Sequence, residues 1–295
     1  MTVVIETRGL TKHFGEVRAV EALDLKVRAG EVFGFLGPNG AGKTTTIRML
    51  LDFVRPTAGR ARVLGGSGAD TAIRRRIGYL PGELKLDRRY SANDVIDFFG
   101  RLRGGVERVY VQSLLGRFEL DPDRPAGELS TGNRRKIGIV QAFMHQPELL
   151  ILDEPTAGLD PLLQQQFLQL VRETAARGAT VFLSSHILPE VEALAGRVGI
   201  LRRGRLVTVA TVETLRERAR QRIAFHLAGP ADASVFRVLP EVVDVAVEGA
   251  LITVTVEGPV AGVLRAAAKL DVLRVVAGGL ELEELFLGYY GGDAT

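Results

Sequence analysis

The octapeptide Gly-Pro-Asn-Gly-Ala-Gly-Lys-Thr at residues 37–44 restricts this chain more than any other segment. An apolar run with β-branched and aromatic members (EVFGFL, residues 31–36) leads into it, and a helix-like run (TTTIRMLLDF) leads out. Gly37, Gly40 and Gly42 let the backbone turn tightly and aim its N–H groups inward. Phosphate oxygens sit on such N–H groups and on the positive end of the following helix, which should begin at Gly42. Lys43 offers a positive charge to the outer phosphates, and Thr44 offers a hydroxyl to Mg²⁺. Asn39, Ala41 and Thr45 complete the candidate cradle.

A second segment supplies carboxylates. Residues 149–154 read Leu-Leu-Ile-Leu-Asp-Glu, a buried strand with two acids at its carboxyl end, where ligands sit in an open α/β sheet. Asp153 suits the Mg²⁺ shell, through water, because Mg²⁺ keeps much of its hydration. Glu154 is then free to act on a water aimed at the terminal phosphate, a reaction that is mostly positioning and charge stabilisation. Asp-Glu after a strand is also an ordinary helix N-cap pair, and only the Lys43 loop upstream favours the chemical reading.

The remaining pattern is that of an α/β chain in two parts. Residues 3–7, 23–28, 148–152 and 179–184 read as further strands, and 161–177 as a helix opened by Pro161 and stopped by Gly178. Strand, helix, strand in succession argues for a parallel sheet flanked by helices, a P-loop NTPase core. Residues 90–145 have helical periodicity and no convincing strand, so a helical insertion is expected at about 85–145 within a first domain of 1–217. Beyond it the order β-α-β-β-α-β over 222–277 is a ferredoxin-like pattern, and 280–290 (LELEELFLGYY) reads as an amphipathic helix. A small α+β accessory domain is therefore expected at 220–295. The 295 residues contain no cysteine, which excludes disulfides, thiolate metal sites and a cysteine nucleophile. No apolar run reaches the ~18 residues that suggest a membrane span, and with a net charge of +3 the basic residues read as an arginine-rich surface rather than the denser basic stripe of a nucleic-acid-binding protein.

Several ordered motifs over about 1–215 resemble those of the ATP-binding cassette (ABC) ATPases. Leu-Ser-Thr-Gly-Asn (129–133) looks like the family's signature sequence, Ala-Gly-Leu-Asp (157–160) like its D-loop, and His186 in Leu-Ser-Ser-His like its switch histidine. Phe14, in Thr-Lys-His-Phe-Gly, stands where the family places an aromatic ring against adenine; taken alone it reads as a core residue, and only the resemblance favours stacking. The resemblance implies a homodimer in which Ser130, Thr131 and Gly132 of one copy cap ATP held on the Lys43 loop of the other. It implies catalytic roles for Lys43, Glu154 and His186, with ATP and Mg²⁺ as cofactors. Gly-Asn-Arg-Arg-Lys (132–136), Tyr-Leu-Pro-Gly-Glu-Leu (79–84) and the C-terminal Leu-Glu-Glu-Leu-Phe-Leu-Gly-Tyr-Tyr (282–290) are similar to ATPases of bacterial exporters for drugs, lipids, polysaccharides or sodium ions. That branch implies separate transmembrane permease subunits and a cytoplasmic location, peripheral on the inner face of the membrane; no nucleic acid is expected. The alternative is a soluble, non-transport cassette acting on ribosomes or nucleic acid. Two departures stand out. Thr131 and Asn133 replace the usual Gly and Gln of the signature, and Gly82 stands where the family carries a glutamine, with Glu83 a candidate to take its role.

Overall fold

The computed structural model describes residues 2–218, 220–229 and 232–280. The chain divides into two compact units, one ending at Val209 and one beginning at Ala210.

In the first unit β1 (Val3–Phe14) and β2 (Val17–Arg28) form a long antiparallel hairpin, extended on the other side of β1 by β4 (Ala58–Val63). Both hairpin strands run longer than the sequence pattern predicts. Residues 8–14 carry charges and Gly9, which weaken the local strand signal, and cross-strand pairing overrides that weakness. Between these strands come β3 (Val32–Leu36) and α1 (Lys43–Leu50). Next along the chain are α2 (Thr71–Arg75), β5 (Ile77–Leu80), α3 (Ala92–Leu102), α4 (Arg108–Arg117) and α5 (Thr131–Phe143). Then follow β6 (Leu149–Asp153), α6 (Pro161–Ala176), β7 (Thr180–Ser185), α7 (Leu188–Glu192), β8 (Arg197–Arg202) and β9 (Arg205–Thr211), whose last two residues lie past the end of the unit. The second sheet has the order β5-β6-β7-β3-β8-β9 and is parallel from β5 through β8.

Every residue of β6 and β7 is buried, as strands covered on both faces must be, which is why they read as unbroken apolar runs. Helix α1 lies between the two sheets. Its Ile47 and Leu50 share one core with Ile5, Leu10 and Val20 of the hairpin and with Phe35, Ile151 and Phe182 of the parallel sheet. Helices α3, α4 and α5 make up the helical stretch expected from periodicity. A capping box of Ser91 and Asp94 starts α3, and a two-pronged ion pair between Arg117 and Glu173, 2.7 Å at each contact, ties α4 to α6. That guanidinium draws the Glu173 carboxyl down to about 2.

The second unit holds α8 (Val212–Arg218), β10 (Arg220–Leu227), α9 (Ser234–Arg237), β11 (Val242–Glu248), β12 (Leu251–Glu257), α10 (Ala261–Ala267) and β13 (Val272–Leu280). The sheet order β11-β12-β10-β13 with antiparallel neighbours is the split β-α-β arrangement that the sequence order predicts. Its own core is built on Phe225 and Phe236, stacked at 5.2 Å, with Ile223, Val254 and Val263. The amphipathic segment expected at 280–290 lies, beyond Leu280, outside the described residues.

Gly34, in the middle of β3, lets α7 approach the sheet. A Cβ there would lie 2.2 Å from Val191 Cγ1 and 3.0 Å from Val198 Cγ1. Gly34→Ala is expected to destabilise the first unit by about 1–3 kcal/mol, the usual cost of overpacking, measured as a lower urea midpoint.

Candidate active site

Strand register assembles the site. Leu36 pairs with Ser185, and Asp153 pairs with Ser184, so β6, β7 and β3 end at one level. The segments that leave these ends carry Asp153 and Glu154, His186, and the 37–44 loop. They meet where the order of the sheet reverses, the usual ligand crevice of an open α/β sheet.

The loop is shaped by steric exclusion. Gly40 and Gly42 have φ of 79° and 107°, and a Cβ on Gly42 would lie 2.4 Å from the Ala19 carbonyl oxygen of β2. A Cβ on Gly37 would lie 2.5 Å from the Leu201 carbonyl oxygen of β8. Gly42 brings no side chain to cap α1, so the first N–H groups of that helix stay available to an anion. Thr44 and Thr45 are half-buried in its first turn, Asn39 is exposed and Ala41 is buried. Lys43 is only 5 % exposed; its Nζ donates to the carbonyls of Gly37 at 2.6 Å and Pro38 at 3.2 Å. Nζ also stands 3.0 Å from Glu154 Oε1, an ion pair that lacks hydrogen-bond alignment.

Glu154 is thereby joined to two groups, because its Oε2 lies 2.7 Å from His186 Nδ1. A carboxylate only accepts, so the imidazole carries its proton on Nδ1 in this contact. The Glu154 backbone has φ 45°, rare for a side chain of this size, and its N–H donates to the Ser184 carbonyl at 3.1 Å. Asp153 is 1 % exposed; its Oδ1 accepts from Ser184 Oγ at 2.6 Å, and its Oδ2 is buried without a hydrogen-bond partner. A buried orphan of this kind points to an interaction with a ligand. Beside it is Gly82, where a Cβ would stand 3.5 Å from that same Oδ2. Glu83 does not take this place: its side chain is 78 % exposed and pairs with Lys85 at 3.6 Å. Burial, reinforced by the charge of Asp153, pushes the Tyr79 phenol up to about 12.

The other candidates are near but separate. Phe14 is half-exposed at the turn of the β1–β2 hairpin, with Lys12 Nζ 4.9 Å from its ring centre. It pairs with Val17, and β2 meets Gly42 two residues further on at Ala19. Ser130 caps α5, accepting from Asn133 N–H at 3.2 Å, and is exposed with Thr131. The N–H groups of Thr131 and Gly132 belong to the first helical turn and have no intrahelical partner. Among the described residues, no hydrogen bond or ion pair joins the head of α5 to Lys43 of the same chain. Asp160 caps α6 by accepting from Leu163 N–H at 2.9 Å. His145 lies outside the site: its Nε2 contacts the Ile77 carbonyl at 3.2 Å, and burial brings it down to about 4.

One residue escaped the sequence reading. Arg135 is 5 % exposed and reaches carbonyls at both 81–82 and 153–155. The available signal was position: Arg135 falls on the apolar stripe of α5 with Ile139 and Ala142, where an arginine needs buried partners.

The loop, the paired acids and the histidine at adjacent parallel strand ends define a P-loop ATPase. The family described as ABC transporter matches residues 20–157. The bacitracin transport ATP-binding protein BcrA of Bacillus licheniformis is 36 % identical over 240 residues, 80 % of this chain and 78 % of that protein. The daunorubicin/doxorubicin resistance ATP-binding protein DrrA of Streptomyces peucetius is 40 % identical, over 73 % of this chain and 67 % of that one. A solved ATP-binding subunit of an ABC transporter superposes with a TM-score of 0.67 at 29 % identity, covering 72 % of this chain and 92 % of that chain. The chain belongs to the ABC transporter family, as an ATP-binding, ATP-hydrolysing subunit.

Gly42→Ala is expected to weaken ATP binding at least ~10-fold without unfolding the chain, because it fills the cradle wall and disfavours the required φ. Titration with a fluorescent ATP analogue, alongside circular dichroism, reads both effects.

Proposed function

We propose that this chain powers an exporter as a homodimer, each copy holding ATP on its Lys43 loop and capping the partner copy's nucleotide with Ser130, Thr131 and Gly132. The observation that carries the catalytic part is the line Lys43–Glu154–His186 at the ends of three paired strands. Lys43 takes the outer phosphates, exchanging its loop carbonyls for phosphate oxygens. Glu154 accepts a hydrogen bond from water and orients it in line with the terminal phosphate, and His186 fixes the Glu154 carboxylate through Nδ1. Phe14 stacks on adenine. Mg²⁺ fits the donor set: the unpartnered Oδ2 of Asp153 and the Thr44 hydroxyl are hard oxygen groups, suited to an ion that completes its shell with water and phosphate. When bound it supplies charge neutralisation on the phosphates. With Gly82 in place of a glutamine, Asp153 carries more of that task here.

Among the described residues no helix is long and apolar enough to cross a membrane; the likeness to transporter ATP-binding proteins supports a transmembrane permease as the partner. An apolar groove of about 640 Å³ between the parallel sheet and the helical stretch suits that partner. Phe53, Tyr79, Leu84, Phe99 and Leu102 line it, and Phe53, 56 % exposed, stands at its rim. Bacitracin transport and daunorubicin/doxorubicin resistance in the relatives support export as the direction, and docking on such a permease would hold the chain at the inner membrane face. We infer that the second unit, from Ala210, is an accessory domain of the dimer.

Glu154→Gln is expected to lower ATP hydrolysis at least ~100-fold while ATP binding persists and the ATP-bound dimer becomes longer-lived, read by phosphate release and gel filtration. Hydrolysis at the wild-type rate would remove Glu154 from the mechanism. Phe53→Asp is expected to abolish co-purification with the permease while the isolated chain hydrolyses ATP within about twofold of wild type.

A further inference from the structure

Arg135 spends all five of its N–H donors on five backbone carbonyls. Its Nη1 donates to Pro81 at 2.6 Å and Gly82 at 2.8 Å. Its Nη2 donates to Glu154 at 2.7 Å and Asp153 at 3.3 Å, and its Nε to Pro155 at 3.3 Å. Two stretches of chain are thus held by one buried guanidinium. The first, 81–82, leaves β5 and lies beside the Asp153 carboxylate. The second, 153–155, includes the residue whose backbone is forced to φ 45°. Such a left-handed backbone is disfavoured for any residue with a side chain and persists only where the surroundings over-determine it. Three of the five contacts fall on that turn. An uncompensated buried charge would be expensive, so the arrangement acts in both directions: the carbonyls satisfy the cation, and the cation fixes the carbonyls.

We propose that Arg135 is a positioning residue for ATP hydrolysis, setting the angle at which Glu154 presents its carboxylate by clamping the 153–155 turn to the 81–82 segment. This rests on the assignment of Glu154 to the hydrolytic step. Because backbone carbonyls take all of its N–H donors, Arg135 acts through the turn that carries Glu154. Lysine keeps the charge but has three donors on one atom, so it cannot reach both segments with the same geometry. An ångström of displacement at a reacting group is enough to lose about two orders of magnitude in rate.

The test is a double-mutant cycle on the purified full chain, with ATP and Mg²⁺, using Arg135→Lys and Arg135→Gln with and without Glu154→Gln. Both single Arg135 variants are expected to lose at least ~10-fold in kcat, with KM and ATP Kd within about threefold of wild type. In the Glu154→Gln background the same substitutions are expected to change the single-turnover rate by less than about twofold, because the group they position is already gone. Circular dichroism and thermal melting establish that the compared variants are folded; the lysine variant, which keeps the buried charge, covers the case in which glutamine does not fold. A folded lysine variant with wild-type kcat overturns the proposal. So do losses that multiply with that of Glu154→Gln, since these mean that Arg135 supports the fold or a different step. Failure of the Glu154 assignment itself gives a separate result: Glu154→Gln alone would then hydrolyse ATP at the wild-type rate.

Discussion

The pairings Leu36 with Ser185 and Ser184 with Asp153 fix the ends of three parallel strands at one level, and the chemistry of the molecule is built on that alignment. Parallel strands inherit their register from burial on both faces. Phe33 and Phe35 of β3 pack against Phe182 of β7, with ring centres 5.9 Å and 5.2 Å apart, and a slip by one residue would exchange the faces of every side chain. Residues scattered from 37 to 186 are thereby gathered at one end of the sheet.

Within this frame, space is made by what is left out. Gly37 and Gly42 sit so close to the carbonyls of Leu201 and Ala19 that any side chain would push the loop away from β8 or β2. Gly34 does the same for α7, and Gly138 on α5 lets Leu80 and Leu84 approach, where a Cβ would stand 2.9 Å and 2.7 Å from their methyl carbons. The phosphate cradle is thus a rigid cast formed by its neighbours, and the backbone N–H groups it presents cost little further ordering when a ligand arrives.

Buried polar groups divide into those satisfied by the chain and those left for something else. Arg135 is fully satisfied by backbone oxygens, whereas Asp153 keeps one oxygen buried and unmatched. An unsatisfied buried polar group costs roughly 1–3 kcal/mol, more when charged, and a native fold keeps one where function requires it. Lys43, folded onto its own loop and onto Glu154, is held by contacts of the kind that phosphate oxygens can replace.

The sequence by itself determined the local chemistry: the glycine spacing of the loop, the acids ending an apolar strand, the helix opened by Pro161, and the β-α-β-β-α-β order of the second unit. These are legible because they depend on backbone conformations and periodicities spanning a few residues. Only the tertiary structure decided that Glu83 turns to Lys85 rather than Asp153, that β1 and β2 extend to residues 14 and 17, and that Arg135 belongs to the site. Each of those depends on partners between two and fifty-four positions away along the chain, chosen by packing. Where a charged side chain finds its counterpart is set by which elements meet in space, and that is a property of the assembled sheet and not of any one segment.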